Sequence, residues 1–239
     1  MTWRSRTCFR AAGLALALGV CSRAATVHGR VEIVASKDRG VRKHSDYSGV
    51  VVWLDPAAGV GFKASAGKAE MVQRDKRFTP HVLAIAVGTT VEFPNYDPIF
   101  HNAFSNYDGQ VFDVGLYPPG TTRSILFKKE GIVRIFCNIH PSMSAIIVVT
   151  KSPYYAVSAK NGEFLIASVP PGAYRLHLFH ERATEQTLEE LARNVEIGGG
   201  EVSLPKIVVS ESGYLLAPHR NKYGRDYPAE AGSYSGSKP

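Results

Sequence analysis

Short apolar segments recur along this chain, and the residues between them are mostly Gly, Pro, Asn and Asp. Segments rich in Val, Ile and Phe predict strands at residues 26–34, 49–54, 82–87, 90–93, 124–127, 133–137 and 145–150. Many short strands with turn formers at close intervals are typical of an all-β sandwich. Helical periodicity occurs only late, at residues 184–193, where Thr187 and Glu190 predict a capping box.

A second group of strands is expected after residue 151. Asn161-Gly162 is a hairpin signal, and 169–172 reads Val-Pro-Pro-Gly, a tight turn followed by alternating apolar residues. From His219 onward the sequence is Gly, Ser, Pro, Lys, Arg and Tyr without periodicity. Residues 218–239 are therefore predicted to form a mobile tail.

The first 25 residues have the three parts of a secretory signal peptide. Residues 1–10 are basic, residues 11–20 are apolar, and small residues precede the expected cleavage after Ala24 or Ala25. The apolar run is too short to span a bilayer. A lipid anchor at Cys21 is the alternative, although Val20 is a poor fit before a lipidated cysteine. We therefore expect a periplasmic protein without a transmembrane segment after cleavage.

Removal of that segment changes both the charge and the cysteine count. Its four arginines take the formal net charge from +7 to +3, and no basic stripe with interleaved aromatics remains. A nucleic-acid partner is therefore not expected. Of the three cysteines only Cys137 remains, so an internal disulfide is excluded. A lone cysteine in an oxidising compartment is either an apolar filler of the core or a functional thiolate.

One short loop brings several metal-binding residue types together. Cys137 ends an alternating apolar strand, and His140 and Met143 follow within six residues, so the three side chains should converge. His101, in a loop after the strand at 90–93, is the natural source of a second imidazole. Two imidazoles, one thiolate and a weak axial thioether are the donors of blue-copper sites. A single thiolate predicts one mononuclear copper, since a binuclear centre needs two.

These motifs carry a family resemblance. The plastocyanin- and amicyanin-like cupredoxins are resembled by residues 91–95 (Val-Glu-Phe-Pro-Asn), His101-Asn102 and the Cys-x2-His-Pro-x-Met run at 137–143. The Cys-x2-His-x2-Met spacing is most similar to that of amicyanin. The resemblance is closer still to the bacterial methylamine utilization proteins, and it covers residues 26–150. It implies a Greek-key β-sandwich with type 1 copper on His101, Cys137, His140 and Met143. It also implies electron transport between redox protein partners and a second-shell role for Asn102, which would tether the two ligand loops.

Residues 151–217 resemble a different module, the carboxypeptidase regulatory-like domain. The matching stretches are 161–164, 169–172 and 173–176. This implies a smaller transthyretin/Ig-like β-sandwich after the first one, a fold that says little about function. It is not expected to be a peptidase, because no zinc ligands accompany a base at suitable spacing.

Other interpretations remain open at this point. The same ligands could store or deliver copper, or Cys137 could fill the core of a metal-free structural module. A Cys-His hydrolase is disfavoured because no helix follows the cysteine to activate the thiol, so we expect no enzyme activity. Around the ligands, the apolar residues Pro98, Ile99, Phe100 and Pro141 would form a docking patch for a redox partner or else pack inward.

Overall fold

The computed structural model describes residues 23–57, 67–106, 109–215 and 219–227. Most of the predicted signal peptide, residues 1–22, lies outside these. The strands are β1 (Ala25–Val34), β2 (Val51–Pro56), β3 (Lys68–Glu70), β4 (Val72–Arg74), β5 (Arg77–Thr79), β6 (Val82–Ala86), β7 (Thr90–Pro94), β8 (Phe104–Ser105), β9 (Phe112–Asp113), β10 (Thr122–Leu126), β11 (Gly131–Phe136), β12 (Ser144–Thr150), β13 (Tyr155–Val157), β14 (Glu163–Val169), β15 (Gly172–Phe179), β16 (Arg193–Ile197), β17 (Gly200–Ser203) and β18 (Ile207–Ser210). The predicted all-β sandwich class is confirmed.

The described helices are short. Helix α1 (Arg39–His44) was not predicted, and its N-terminus is capped by Asp38. Helix α2 (Glu185–Leu191) falls within the predicted 184–193, but the cap is Thr184, whose hydroxyl accepts from the amide of Thr187. The predicted capping box on Thr187 and Glu190 is therefore wrong by one helical turn. Neither helix has the length and apolar character needed to cross a membrane.

Strands β3 to β12 form one sandwich. One sheet has the order β10-β7-β3, the other β6-β12-β11-β8-β9, and β4 pairs with β5 beside them. The buried apolar side chains of these strands form one cluster, which includes Phe93, Ile135 and Ile147. Cys137 and Met143 belong to this same cluster, so both ends of the loop between β11 and β12 pack in the core.

The remaining strands form a second sandwich that is assembled from both ends of the chain. Its sheets are β14-β1-β17, with β18 also on β1, and β13-β2-β15-β16. The first two strands thus pair with strands after residue 151, for example Val27 with Ile166 and Leu54 with Leu176. This differs from the predicted division at residue 150, which placed both strands with the first sandwich. An alternating apolar strand fits either core, so its sequence does not identify its partner.

Strand β12 lies where the two sandwiches meet and is buried on both faces. Ala145, Ile147 and Val149 face the core of the first sandwich. Ile146 and Val148 face the other way, where they pack with residues of β2 and β15. This explains why the sequence from 145 to 149 is a continuous apolar run rather than an alternating one.

A polar network continues the contact between the sandwiches beside β12. His81 lies 3.1 Å from the carbonyl oxygen of Ser144 and 2.7 Å from the carboxylate of Glu181. Arg182 joins Glu181 to Glu211, which also accepts hydrogen bonds from His180 and Ser36. The carboxylate of Glu211 is buried, and these donors replace the water that it loses.

Candidate metal centre

The loop from Cys137 to Met143 is closed by its own backbone. The amide of Cys137 donates to the carbonyl of Met143 at 3.2 Å, and the amide of Met143 donates to the carbonyl of His140 at 3.0 Å. Val133 and Ile135 alternate into the core ahead of Cys137, as predicted. Cys137 thus directly follows β11, whose alternate side chains face the core, and β12 begins at Ser144, directly after Met143.

His101 reaches the same point from the segment between β7 and β8. Its backbone forms a bridge with Tyr117, with the two N–H···O distances at 3.2 and 2.9 Å. The ring is fully buried. Its Nδ1 faces the sulfur of Cys137, while its Nε2 lies 2.7 Å from the carboxylate of Asp97.

Three of the four predicted ligands, His101, Cys137 and His140, lie close together. The Cys137 Sγ lies 3.9 Å from Nδ1 of His101 and 3.9 Å from Nδ1 of His140. One ligand atom from each residue lies within 4.8 Å of the others. Zinc lies about 2.0 Å from a nitrogen ligand and about 2.3 Å from a sulfur ligand. With an angle of about 120° at the metal, these two bonds place the nitrogen and sulfur atoms about 3.7 Å apart. The donor set therefore fits a single metal ion, and two imidazoles with one thiolate are among the donors that blue-copper sites use.

Met143, the fourth predicted ligand, is fully buried in the same apolar cluster as Cys137. Its backbone forms both of the hydrogen bonds that close the loop. A thioether in this position is a weak ligand, so its coordination of copper remains a prediction here. Among the predicted ligands His140 alone is partly exposed.

The carboxylate of Asp97 organises the His101 segment. One oxygen accepts from the Asp75 amide at 2.6 Å, and the other accepts from the Lys76 amide at 2.9 Å and from the His101 ring. Burial alone would raise the pKa of Asp97, but these hydrogen bonds outweigh burial and leave the pKa below its ordinary value. An ionised carboxylate only accepts, so Nε2 of His101 carries the proton and Nδ1 is left for the metal.

Asn102 connects different elements from those predicted. Its side-chain amide donates to Asp113 Oδ1 at 2.7 Å and to the carbonyl of Gly115 at 2.9 Å. Its own buried oxygen has no hydrogen-bond partner among the described residues. The hydrogen bonds of Asn102 therefore support the His101 segment through residues 113–115, and the predicted tether to the Cys137 loop is not among them.

Sequence reasoning missed two contributors to this site. Asp97 had no predicted role at the site, although its position four residues before His101 within a turn-rich segment was a usable signal. Residues 219–227, predicted to be part of a mobile tail, contact the Cys137 loop through His219 and Tyr227. No local pattern in the sequence indicates a contact over about 80 residues. The rest of the predicted tail, residue 218 and residues 228–239, lies outside the described residues.

Comparison with known proteins was made by sequence and by structure. No protein-family model matches the chain. The methylamine utilization protein MauL of Methylorubrum extorquens is 40% identical over 60 residues, which are 25% of this chain and 53% of MauL. Over these 60 residues the chain is similar to MauL. The chain thus spans about half the length of this curated relative, and the predicted resemblance to methylamine utilization proteins is confirmed.

Solved structures similar to this chain include a cupredoxin, amicyanins and a copper-containing nitrite reductase. A purple cupredoxin from Nitrosopumilus maritimus is 26% identical, over 34% of this chain and 99% of that one, with a TM-score of 0.32. The copper-containing nitrite reductase of Thermus scotoductus is 30% identical, over 41% of this chain and 27% of that one, with a TM-score of 0.34. Amicyanin from Paracoccus versutus is 21% identical, over 41% and 91%, with a TM-score of 0.33.

Proposed function

We propose that this protein is a periplasmic electron carrier that holds one type 1 copper on His101, Cys137 and His140, with Met143 as the weak axial ligand. The observation that carries the proposal is the equal distance of 3.9 Å from the Cys137 sulfur to Nδ1 of both histidines. Structural zinc sites of comparable size are closed by four strong ligands, whereas this group offers three strong donors and a thioether. That composition favours copper.

The residues of the chain prepare the site for a change of one electron. Copper bound there would alternate between its monovalent and divalent states. The thiol of Cys137 has to lose its proton for metal binding, so binding is coupled to pH. Asp97 fixes the tautomer and the orientation of the His101 ring, and burial keeps bulk water away from the sulfur. Ligands that are held in this way move little when the charge of the metal changes.

An apolar surface beside the ligands supports docking of a protein partner. Phe100 and Ile139, which neighbour two ligands in sequence, are 54% and 43% exposed, and Leu116 is 55% exposed. Pro98 is exposed as well, whereas Ile99 and Pro141 are half-buried. Exposed apolar side chains near a redox centre fit a transient partner, since such contacts form and dissociate quickly.

Copper titration of the mature chain tests the proposal. Addition of Cu(II) should give an intense visible thiolate-to-copper band that is lost in Cys137→Ser and His101→Gly. The variant His44→Ala, which removes an exposed imidazole from α1, should keep the band and serves as the matched control. A colourless complex, or a colour that survives Cys137→Ser, would contradict the assignment.

Voltammetry and copper transfer separate electron transport from copper delivery. An electron carrier should give a reversible one-electron wave and release copper slowly to a chelator. Rapid release to a chelator with no reversible wave would favour storage or delivery of the metal by the same residues.

A further inference from the structure

Residues 219–227 form a compact segment that packs on the outside of the ligand loop. A turn around Asn221 closes it, because the amide of Asn221 donates to the carbonyl of Arg225 and the amide of Gly224 to that of Asn221. The turn brings Tyr227 back beside His219, with the ring centroids 5.2 Å apart. We call this segment the C-terminal strap.

The strap contacts the backbone of the ligand loop at several points. The hydroxyl of Tyr227 donates to the carbonyl of Cys137 at 2.9 Å. The Nε2 of His219 donates to the carbonyl of Pro141 at 2.8 Å, and its ring stacks on Phe136 with centroids 4.1 Å apart. The amide of Lys222 donates to the side chain of Asn138 at 3.1 Å. The strap therefore holds the loop at its start and again at Pro141.

These contacts complement the hydrogen bonds that the loop makes within itself. The internal bonds use the amides of Cys137 and Met143 and the carbonyls of Met143 and His140. The strap takes the carbonyls of Cys137 and Pro141, which the internal bonds leave open. Each strap contact thus supplies a donor to a loop carbonyl that the internal bonds leave open, in a part-buried position.

The strap also reaches the other ligand segment. The ammonium group of Lys222 lies 2.7 Å from Oδ2 of Asp113. The other oxygen of Asp113 accepts from Asn102, next to His101. One short segment is thus connected to the supports of both the Cys137 loop and the His101 segment.

From these contacts we propose that the strap positions the ligand loop, with Tyr227 and His219 as positioning residues that keep Cys137 and His140 in their binding arrangement before metal arrives. The role for copper rests on the proposed function. The positioning itself concerns the metal-free chain and is tested separately.

Amide hydrogen exchange in the metal-free protein measures the positioning directly. Tyr227→Phe removes one hydroxyl, and His219→Phe keeps an aromatic ring on Phe136 while it removes the hydrogen bond to Pro141. The amides of Cys137 and Met143 should exchange about tenfold faster in either variant, a ratio that corresponds to about 1.4 kcal/mol of local stability. Tyr223→Phe is the matched control, because this tyrosine is in the strap but 70% exposed.

The amides of Val133 and Ile147 in β11 and β12 separate a local effect from a global one. Unchanged exchange at Cys137 and Met143 would overturn the proposal. Equal acceleration at all four amides would overturn it too, since the strap would then stabilise the whole sandwich and not the loop.

Copper release gives the second readout. A chelator should remove copper about tenfold faster from Tyr227→Phe than from Tyr223→Phe, and equal rates would contradict a role in metal retention. If wild-type protein forms no coloured complex, the proposed function fails, but the exchange result for the metal-free loop still stands.

Discussion

Replacement of Asp97 by Asn is the change that should reveal most about this site. The side chain keeps its size but loses its charge, and one of its two acceptor oxygens becomes an NH2 donor. In the structure both oxygens accept, one from the Asp75 amide and the other from the Lys76 amide and the His101 ring. Whichever way the new amide is oriented, its NH2 group therefore faces at least one N–H group.

The two orientations have different consequences for the metal. If the amide oxygen stays with His101, the Asp75 amide is left unpaired. If the oxygen turns to Asp75, the NH2 group faces the His101 ring, which must then carry its proton on Nδ1, where it faces the Cys137 sulfur. A lost hydrogen bond to a charged acceptor costs about 1.5 to 3 kcal/mol. Loss of such a support for a ligand typically weakens metal binding by about 10- to 100-fold.

Urea unfolding of the metal-free protein and competition for copper with a chelator measure the two effects. We expect Asp97→Asn to lower the free energy of unfolding by about 1.5 to 3 kcal/mol and copper affinity by at least about tenfold. Asp75→Asn makes the same change at an exposed side chain of the adjoining turn and should stay within about 0.5 kcal/mol of wild type. Wild-type copper affinity in Asp97→Asn would refute the reasoning, even if stability fell, because the carboxylate would then shape the turn without holding His101.

Three further predictions concern other parts of the molecule. Met143→Leu keeps a buried side chain of similar volume, so the metal-free protein should lose less than about 1.5 kcal/mol of stability. Voltammetry of the copper-loaded variant should show a higher reduction potential, because a donor to the oxidised metal is gone. Urea unfolding should show that Gly162→Ala lowers the free energy of unfolding by about 1 to 3 kcal/mol more than Gly120→Ala does. Both glycines have a positive φ, but only at Gly162 would an added Cβ overlap the carbonyl of Val31. Burial raises the pKa of Glu211, but its hydrogen bonds lower the pKa by more, so that it lies below the ordinary value of 4.5. The stability that this carboxylate contributes is present above pH 4.5 and should be lost as the pH falls through the folded pKa. Urea unfolding at a series of pH values should show a shallower fall of stability in Glu211→Gln.

The grouping of Cys137 with His140 and His101 could be predicted because part of it is local. Cys137, His140 and Met143 share one loop of seven residues, and a strand on each side leaves them little room to diverge. His101 followed from the chemistry, since a site with one thiolate and one imidazole lacks a strong donor. The alternation of Val133 and Ile135 correctly placed Cys137 on the core side. Here residue type and spacing are enough to indicate the arrangement.

The features that were missed depend on contacts between distant segments. Strand β1 pairs in parallel with β17 and β18 and antiparallel with β14, yet its alternation fits any half-buried strand. The strap is polar and without periodicity, and it is ordered by contacts with the ligand loop and not by a core of its own. A composition typical of disorder does not exclude a segment that folds onto a neighbouring surface.

The two histidine-bearing segments need different kinds of support, and the structure provides them. Cys137 and His140 are carried between β11 and β12, and β12 is buried on both faces, so the strands themselves limit how far the loop can move. His101 lies between short elements and is held by individual hydrogen bonds: two between its backbone and Tyr117, and one from its ring to Asp97. The neighbouring Asn102 adds two more, to Asp113 and Gly115. The geometry on the His101 side therefore depends on few hydrogen bonds, whereas on the Cys137 side it is shared among strands, internal bonds and the strap. A single substitution should accordingly disturb the site more at Asp97 than at any one residue of the strap.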